Sequence, residues 1–350
     1  MTSATRVFAA AFAAFLAFAG SAAVARPKPP PVIYAPPPPP PMPDVGFGMR
    51  FLDQAAAYQT YVGQATAISP AFGDPAAVAD ALRTGVAYEP EQLRRGAIVY
   101  AAVAALGDRQ FVDAVRAAGQ TPEQRYAIIA KLFADPRQVL MFAGAAQAEA
   151  LAKAALAQSG MKLFSDGDAV RLAAYSIQHQ PWSLTEVANR DQRASAVKQL
   201  SSTPRQPSAD DRAVLERFIQ GIAPAPAQPA DPAAPPYSAM VVRAVALAAL
   251  ASIGQAGDDD FAHLGWLTDD YYLDHCLAET KLSLYECLAV AKPNYEDVFC
   301  LGQHAMKDTG ACLVKSAYAT VPIDIMTKPM VIPTAHIRKG GAHPTRRRRS

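Results

Sequence analysis

The chain has 350 residues, of which 51% are hydrophobic and 18% charged, and its formal net charge is +2. Four of the positive charges lie in TRRRRS at 345–350, so the rest of the chain is slightly acidic. Proteins that bind nucleic acid spread basic residues over one face of the fold, and this charge distribution argues against that class. Without its terminal segments the chain is long enough for one or two compact domains.

Residues 1–25 have the pattern of a secretory signal peptide. Arg6 supplies the early positive charge, an apolar core follows, and Ala23 and Ala25 are the small residues before a cleavage point at Arg26. The core is shorter than the ~20 apolar residues that cross a bilayer, so we expect cleavage rather than a retained anchor. We therefore expect a bacterial periplasmic or secreted protein that is not transmembrane after cleavage.

Residues 26–46 are predicted to be a proline-rich spacer. Proline has no backbone N–H, so RPKPPPVIYAPPPPPPMPD at 26–44 is unsuited to helix or sheet and is expected to be disordered or extended. As polyproline II it would span ~50 Å at ~3.1 Å per residue. Two interpretations stay open, a plain spacer and a strut or docking peptide anchored by Tyr34.

Residues 47–222 are predicted to form an all-α domain, a bundle or a solenoid-like stack. Helix start signals recur, strand-like alternation is absent, and abundant alanine lets helices approach closely. The predicted starts are Thr121-Pro122, Asp135-Pro136, Ser183 with Glu186, and Ser208 with Asp211. Gly160 is predicted to end one helix, and a break near Gly107-Asp108 separates two others.

The segment APAPAQPADPAAPP at 223–236 is predicted to be a linker and a domain boundary. The apolar run at 238–254 follows it, is interrupted by Arg243 and is short for a membrane span, so we interpret it as a buried core helix. It belongs to a cysteine-containing helical unit at 237–320. Residues 321–350 form a basic tail that we expect to be disordered.

All the cysteines of the chain, Cys276, Cys287, Cys300 and Cys312, lie in this helical unit, and an even number in an exported protein predicts disulfides. Cys276 and Cys287 would lie ~16 Å apart on one helix, far beyond the ~5.5 Å between α-carbons that a disulfide needs. Folding back at Pro293 places Cys287 opposite Cys300 and Cys276 opposite Cys312. The sequence therefore favours a nested, disulfide-stapled helical hairpin.

The hairpin resembles the twin-CX9C helical hairpins of mitochondrial intermembrane-space proteins. Its spacers are ten and eleven residues instead of nine, and the resemblance covers fewer than 40 residues. We take it to indicate the same geometry rather than the same family.

Two alternatives to nested disulfides stay open. Asp308-Thr309-Gly310 is typical of a helix end, which favours a local pair of Cys300 with Cys312. Cys300 and His304 are four residues apart, and with Cys276 or His275 they would suit zinc or copper, as in a periplasmic metal carrier. Covalent haem needs CxxCH, which the sequence lacks, and no cofactor is predicted.

The segment Asp258–Asp274 is the strongest candidate for catalysis. Its carboxylates would suit an envelope enzyme acting on peptidoglycan or glycans, whereas the spacing of EF-hand calcium ligands is absent. The aromatic residues that would contact a carbohydrate are Trp266, Tyr271 and Tyr272. The alternative is a solvated loop in which Asp260 or Asp270 caps a helix.

The G-x-S-x-G, H-E-x-x-H, Walker A and G-x-G-x-x-G motifs are absent from the sequence. Ser195-Ala-Val-Lys198 has the S-x-x-K spacing of penicillin-interacting serine enzymes, but neither S-D-N nor K-T-G accompanies it. Spacers, helices and tails dominate the chain instead. We therefore expect a non-enzymatic envelope scaffold or adaptor that binds an envelope protein or a cell-wall component.

The basic tail is a second candidate binding segment. It carries the four consecutive arginines Arg346, Arg347, Arg348 and Arg349, which would bind anionic lipid or lipopolysaccharide at roughly 1 kcal/mol per residue. The alternative is a tail that only increases solubility.

Overall fold

The computed structural model describes residues 41–227 and 231–318, which form twelve α-helices and no β-strand. The predicted all-α fold is confirmed for this part of the chain. The helices are α1 (Met49–Thr66), α2 (Pro75–Val86), α3 (Pro90–Ala105), α4 (Arg109–Ala118), α5 (Pro122–Ala134), α6 (Ala145–Ile177), α7 (Arg190–Ser201), α8 (Ala209–Ile219), α9 (Ala239–Ser252), α10 (Tyr271–Val290), α11 (Asn294–Cys300) and α12 (Thr309–Tyr318). Two 3₁₀ helices (Pro136–Met141 and Gly265–Thr268) and a π-helix (Leu301–Asp308) complete the set.

The predicted signal peptide, the proline-rich residues up to 40 and the tail from 319 lie outside the described residues. The arginines 346–349 and Tyr34 are among them. Within the described ranges, no helix has the length and apolarity that crossing a membrane requires.

Helix α6 packs against helices from both halves of the chain. It packs against α3 and α9 along one side and against α11, the π-helix and α12 along another. Helix α9 is buried over almost its whole length, so the apolar run at 238–254 is a core helix, as the sequence predicts. Its Arg243 is half-buried at the edge of the core.

One cluster of buried side chains draws on helices from both sides of the predicted linker at 223–236. Ala227 within the linker is buried, and the N–H of Ala233 donates a hydrogen bond to the carbonyl of Ala146 at 3.0 Å. The described part of the linker therefore lies against the helical body. The domain boundary at 223–236 stays a prediction.

Local capping patterns explain several helix starts. Thr121 accepts the N–H of Gln124 in a full capping box at the start of α5, and Ser208 caps α8. Asp135 also caps a helix, but this is the short 3₁₀ helix from Pro136 and not α6.

The predicted helix start at Ser183 is wrong. Helix α7 begins at Arg190, and the Ser183 hydroxyl instead donates to the carbonyl of Ile177, the last residue of α6, and to that of Gln180 after it. The N–H of Val187 donates to the carbonyl of Lys292 at 2.8 Å, which ties this loop to the turn of the cysteine hairpin. A serine hydroxyl has no intrinsic preference for N–H groups over carbonyls, so the pattern alone misplaces the helix.

The predicted helix ends at Gly160 and at Asp308-Thr309-Gly310 are also wrong. Gly160 and Gly310 instead lie where two helical segments pack closely against each other. Helix α6 continues through Gly160 for 17 further residues to Ile177, and the chain from Asn294 stays helical to Tyr318. A Cβ on Gly310 would lie only 2.6 Å from the carbonyl oxygen of Gly160. Glycine therefore lets the two backbones approach more closely than any other residue would.

The π-helix aligns the glycines of this contact. Gly160 and Gly167 are seven residues apart on α6, which is two α-helical turns, whereas their counterparts Gly302 and Gly310 are eight apart. A π-helix uses more residues per turn than an α-helix. The Leu301–Asp308 segment therefore takes up the extra residue and brings both glycines to the same face.

Candidate functional site on the disulfide hairpin

Helix α10 and the helical run from Asn294 to Tyr318 form an antiparallel hairpin that carries both disulfides. Cys276 is bonded to Cys312 and Cys287 to Cys300, each with 5.7 Å between the α-carbons. This is the nested pairing that the sequence favours. The local alternative fails because the helix does not end before Cys312.

The inner face of α10 buries a lysine. The Lys281 ammonium is only 4% exposed, donates to the carbonyl of Val86 at 2.9 Å and to the Ser201 hydroxyl at 3.0 Å, and lies 3.3 Å from the ring centroid of Tyr88. Burial lowers the pKa of Lys281 well below its usual value, and Glu89 acts in the opposite sense. Burial likewise raises the pKa of Tyr88 to about 12.

The Ser201–Lys281 pair has the atoms of a serine–lysine dyad, in which a low-pKa amine activates a hydroxyl. Both side chains are buried, and neither lines the cavity between α1 and α2 or the cavity over the Cys287–Cys300 disulfide. The Ser201 hydroxyl also lies 3.3 Å from the carbonyl of Val86, so it is part of a closed hydrogen-bond network. The arrangement therefore joins α2, α7 and α10.

Sequence reasoning missed this lysine, although a signal for it exists. Lys281 follows the buried Leu277 by four residues and precedes the buried Leu284 by three. On a helix these spacings share one face, so the helical period alone places Lys281 inside.

The Asp-rich segment contributes backbone caps. Asp270 accepts the N–H of Leu273 and so caps α10, Asp260 accepts the N–H of Gly257, and Asp258 accepts the N–H of Arg50 at the start of α1. Asp270 therefore has the helix-capping role that the sequence offers for it, whereas Asp260 accepts a backbone N–H within the loop and caps no helix.

The other carboxylates of this segment hold arginines. Arg94 is buried, forms an ion pair with Asp269 and lies 3.8 Å from Asp274. Arg243 reaches the carboxylate of Asp270 at 3.4 Å. The segment is thus built around intramolecular contacts, and its carboxylates do not converge on an open cleft.

The predicted aromatic patch is only partly assembled. Trp266 packs on Phe133, with 5.0 Å between ring centroids, and its indole N–H is buried. Tyr271 and Tyr272 do lie together at the start of α10, exposed, and His275 stacks parallel to Tyr271 at 6.0 Å. The structure thus brings together two of the three aromatic residues and adds a histidine.

The other sequence candidates are separate from one another. Ser195 is exposed, and Lys198 lies near the ring of Tyr285. The Nδ1 of His304 is 2.9 Å from a carboxylate oxygen of Asp308. All four cysteines are in disulfides, and in the described chain no three His, Cys, Asp or Glu side chains cluster as metal ligands do.

The described surface includes two cavities that differ in their lining. One, of about 420 Å³, lies between the end of α1 and α2, and its only ionisable lining residue, Asp80, pairs with Arg83. The other, of about 300 Å³, lies over the Cys287–Cys300 disulfide. Its remaining lining residues are Ala174, Tyr175, Gln178, Val290, Ala291, Tyr295, Glu296 and Phe299.

The outer face of α10 is a surface of this hairpin that the core does not use. It consists of the exposed residues Tyr271, Tyr272, His275, Ala278, Glu279, Leu282, Glu286, Ala289 and Val290. Apolar side chains therefore stay in solvent from one end of the helix to the other. Because both disulfides fix α10, this face is presented on a rigid element.

The chain is thus an all-α protein that presents a helical hairpin with two nested disulfides. No protein-family model, curated protein or solved structure matches it.

Proposed function

We propose that the protein is an exported, non-enzymatic scaffold or adaptor of the bacterial cell envelope that binds a protein partner through the outer face of α10. One observation supports this most: α10 is fixed by two disulfides, yet it keeps large apolar side chains in solvent. Tyr271, Leu282 and Val290 are each more than half exposed. Contiguous exposed apolar residues on a rigid helix are typical of surfaces that bind another helix or an extended segment.

The charges on the same face restrict the kind of partner segment that can bind there. Glu279 and Glu286 lie among the apolar residues and have no ion pair within the described residues. A complementary segment would carry apolar side chains at helical spacing with lysine or arginine between them. The partner is therefore a basic, amphipathic segment of an envelope protein.

Export is supported by the signal-like N-terminus and by the use of every cysteine in a disulfide. The two alternative functions have less support. An envelope enzyme would use Asp260 or Asp270, and both carboxylates accept backbone N–H groups of this chain, that of Asp270 as the cap of α10. A metal carrier would use thiolates, and the cysteines are oxidised.

A photo-crosslinking residue at position 282 tests the proposal in cells that express the native protein. Leu282 is 51% exposed on α10, and Leu172 on α6 is a matched control at 50% exposure. We expect one discrete adduct from position 282 and none from position 172. The double variant Glu279→Lys/Glu286→Lys should reduce the adduct by about tenfold, because it repels a basic partner.

Two outcomes contradict this function. Equal crosslinking from positions 172 and 282 would show that contact is non-specific. An adduct that charge reversal leaves unchanged would exclude a basic partner.

A further inference from the structure

The start of the outer face of α10 is an exposed aromatic cluster. Tyr271 is 73% exposed, Tyr272 lies beside it at 5.8 Å between centroids, and the His275 ring is parallel to Tyr271. None of the three side chains contributes to the core. The next turn of the same face adds the exposed Glu279.

Two carboxylates next to this cluster reach solvent. Asp269 and Asp274 are more than half exposed, whereas the arginine that they share, Arg94, has a 7% exposed side chain. Arg243 is turned toward the backbone and carboxylate at the start of α10. The region therefore offers solvent tyrosine rings next to carboxylates.

This combination suits one kind of ligand group. A guanidinium stacks on aromatic faces and binds carboxylates through two parallel N–H bonds, whereas an ammonium does neither as well. A run of arginines would therefore satisfy both parts of the surface. Such a run occurs in this chain at 346–349.

The described chain ends beside this surface. The Cys276–Cys312 disulfide holds α10 and α12 antiparallel with 5.7 Å between the α-carbons. Tyr318 lies six residues beyond Cys312, about 9 Å along the helix, and Tyr271 lies five residues before Cys276, about 8 Å in the same direction. The last described residue and the aromatic cluster are therefore at the same end of the hairpin.

The remaining sequence is long enough for the arginines to return. From Tyr318 to Thr345 there are 27 residues. A flexible chain of that length has a typical end-to-end distance of roughly 30 Å. Tethering of this kind gives effective concentrations in the millimolar range, so even a weak contact is occupied.

We propose that the arginines 346–349 of this chain dock on the surface formed by Tyr271, Tyr272 and His275 with Asp274 and Glu279. The contact covers one end of the outer face of α10. It therefore competes with a basic partner for that face, a consequence that rests on the proposed function.

The test uses full-length mature protein and a variant in which the four arginines 346–349 are replaced by serine. A synthetic TRRRRS peptide is titrated into each, and the ring resonances of Tyr271 and Tyr272 are followed. We expect saturable shifts in the serine variant and at least about tenfold weaker binding to the wild type, where the tail already occupies the surface. Tyr126, 72% exposed on α5, is the matched control and should not shift.

Two further variants complete the test. Tyr271→Ser/Tyr272→Ser, made in the serine-tail background, should abolish peptide binding, as judged by calorimetry. Replacing the four arginines by lysine should weaken docking, because charge is kept and stacking is lost.

Peptide binding that is equal in wild type and serine variant would overturn the docking, as would binding that survives loss of both tyrosines. A third overturning result is binding of the wild-type tail to anionic vesicles with no difference in the tyrosine resonances between wild type and serine variant. In that case the arginines act on a membrane surface alone. None of these outcomes depends on a partner protein, so they are separate from failure of the crosslinking test.

Discussion

Glu149 is a deeply buried carboxyl group, and its burial opposes ionisation of the side chain. Its side chain is 1% exposed, and its Oε1 has no hydrogen-bond partner among the described residues. Burial raises the pKa of Glu149 to about 8, with Lys153 one turn away acting in the opposite direction. In the segment 233–237, the Tyr237 hydroxyl donates a hydrogen bond to the carbonyl of Ala233 at 3.1 Å. A neutral carboxylic acid is therefore the form that fits this site near neutral pH.

The raised pKa of Glu149 predicts a stability that falls as pH rises. Because the folded pKa is about 8 and the ordinary value is 4.5, folded protein holds a proton between these values that the unfolded chain releases. The contribution of protonated Glu149 to stability is complete below the unfolded pKa, and it is lost as the pH rises through the folded pKa. Glu149→Gln removes the titration, so the free energy of unfolding of wild type relative to the variant should fall by roughly 3 kcal/mol between about pH 5 and pH 7.

Urea denaturation of both proteins across this pH range measures the difference. The comparison with the glutamine variant is needed because Lys281 acts in the opposite sense. Its folded pKa is lowered, so unfolding takes up a proton and stability rises with pH. If the difference in the free energy of unfolding between wild type and variant does not change with pH, Glu149 is solvated or hydrogen-bonded.

At the scale of helices, the closest packing is that of α6 against the helical run from Asn294 to Tyr318. A Cβ on Gly310 would lie 2.5 Å from the backbone nitrogen of Phe164, and backbone cannot move aside as a flexible side chain can. We expect Gly310→Ala to force the helices apart and to lower the free energy of unfolding by about 1–3 kcal/mol. Chemical denaturation monitored by circular dichroism measures this loss.

Gly63 in α1 is the control for this substitution. A Cβ there would meet no atom within 4 Å, so Gly63→Ala should stabilise the protein by about 0.5–1 kcal/mol through higher helix propensity. Stabilisation by both alanines would mean that α6 and the hairpin are packed less closely than the structure shows.

These glycines also show where sequence reasoning about elements fails. Thr121 and Ser208 mark helix starts because a cap is a contact with the next few residues, which the sequence contains. Gly160 and Gly310 have the sequence signature of helix ends, but their function is set by the helix opposite, more than 100 residues away. Local patterns cannot distinguish a stop from a close contact.

The candidate site, like the helix boundaries, can be predicted from the sequence where it depends on local contacts. The pairing of the cysteines follows from helix length and a turn at Pro293, both of which are local. Tyr271 and Tyr272 were identified as surface aromatic residues, whereas Trp266 was assigned to the same patch and instead packs on Phe133. Which face of α10 stays uncovered depends on the helices around it, so Leu282 had no distinguishing signal.

At the scale of the whole molecule, the question is whether the stapled hairpin unfolds with the rest. Helix α6 contacts α3 on one side and α12 on the other, so the two regions separated by the predicted linker share a buried interface through one helix. A shared core favours one cooperative transition, whereas an independent domain would unfold separately. The disulfides provide a way to distinguish these outcomes.

Removing each disulfide in turn should lower stability by an amount set by the loop that it closes. The Cys276–Cys312 bond spans 36 residues and the Cys287–Cys300 bond spans 13. Loop-closure entropy then gives losses of about 4 and about 3 kcal/mol for replacement of the respective pairs by alanine. The comparison is fair because each pair contains one fully buried and one half-buried cysteine, so both variants lose similar packing.

Calorimetry and urea denaturation, followed by far-ultraviolet circular dichroism and by tryptophan fluorescence, would report the result. Trp266 packs on Phe133 of α5, and Trp182 lies in the loop that is hydrogen-bonded to the turn of the hairpin, so both indoles report contacts between the two regions. If α6 couples the regions, both variants shift one transition that all probes share, and the outer disulfide shifts it further. Two transitions, of which only one responds to the disulfides, would instead establish 237–320 as an independent domain. The outer face of α10 would then be presented by a unit able to move relative to α6, and the rigidity on which its proposed binding depends would be lost.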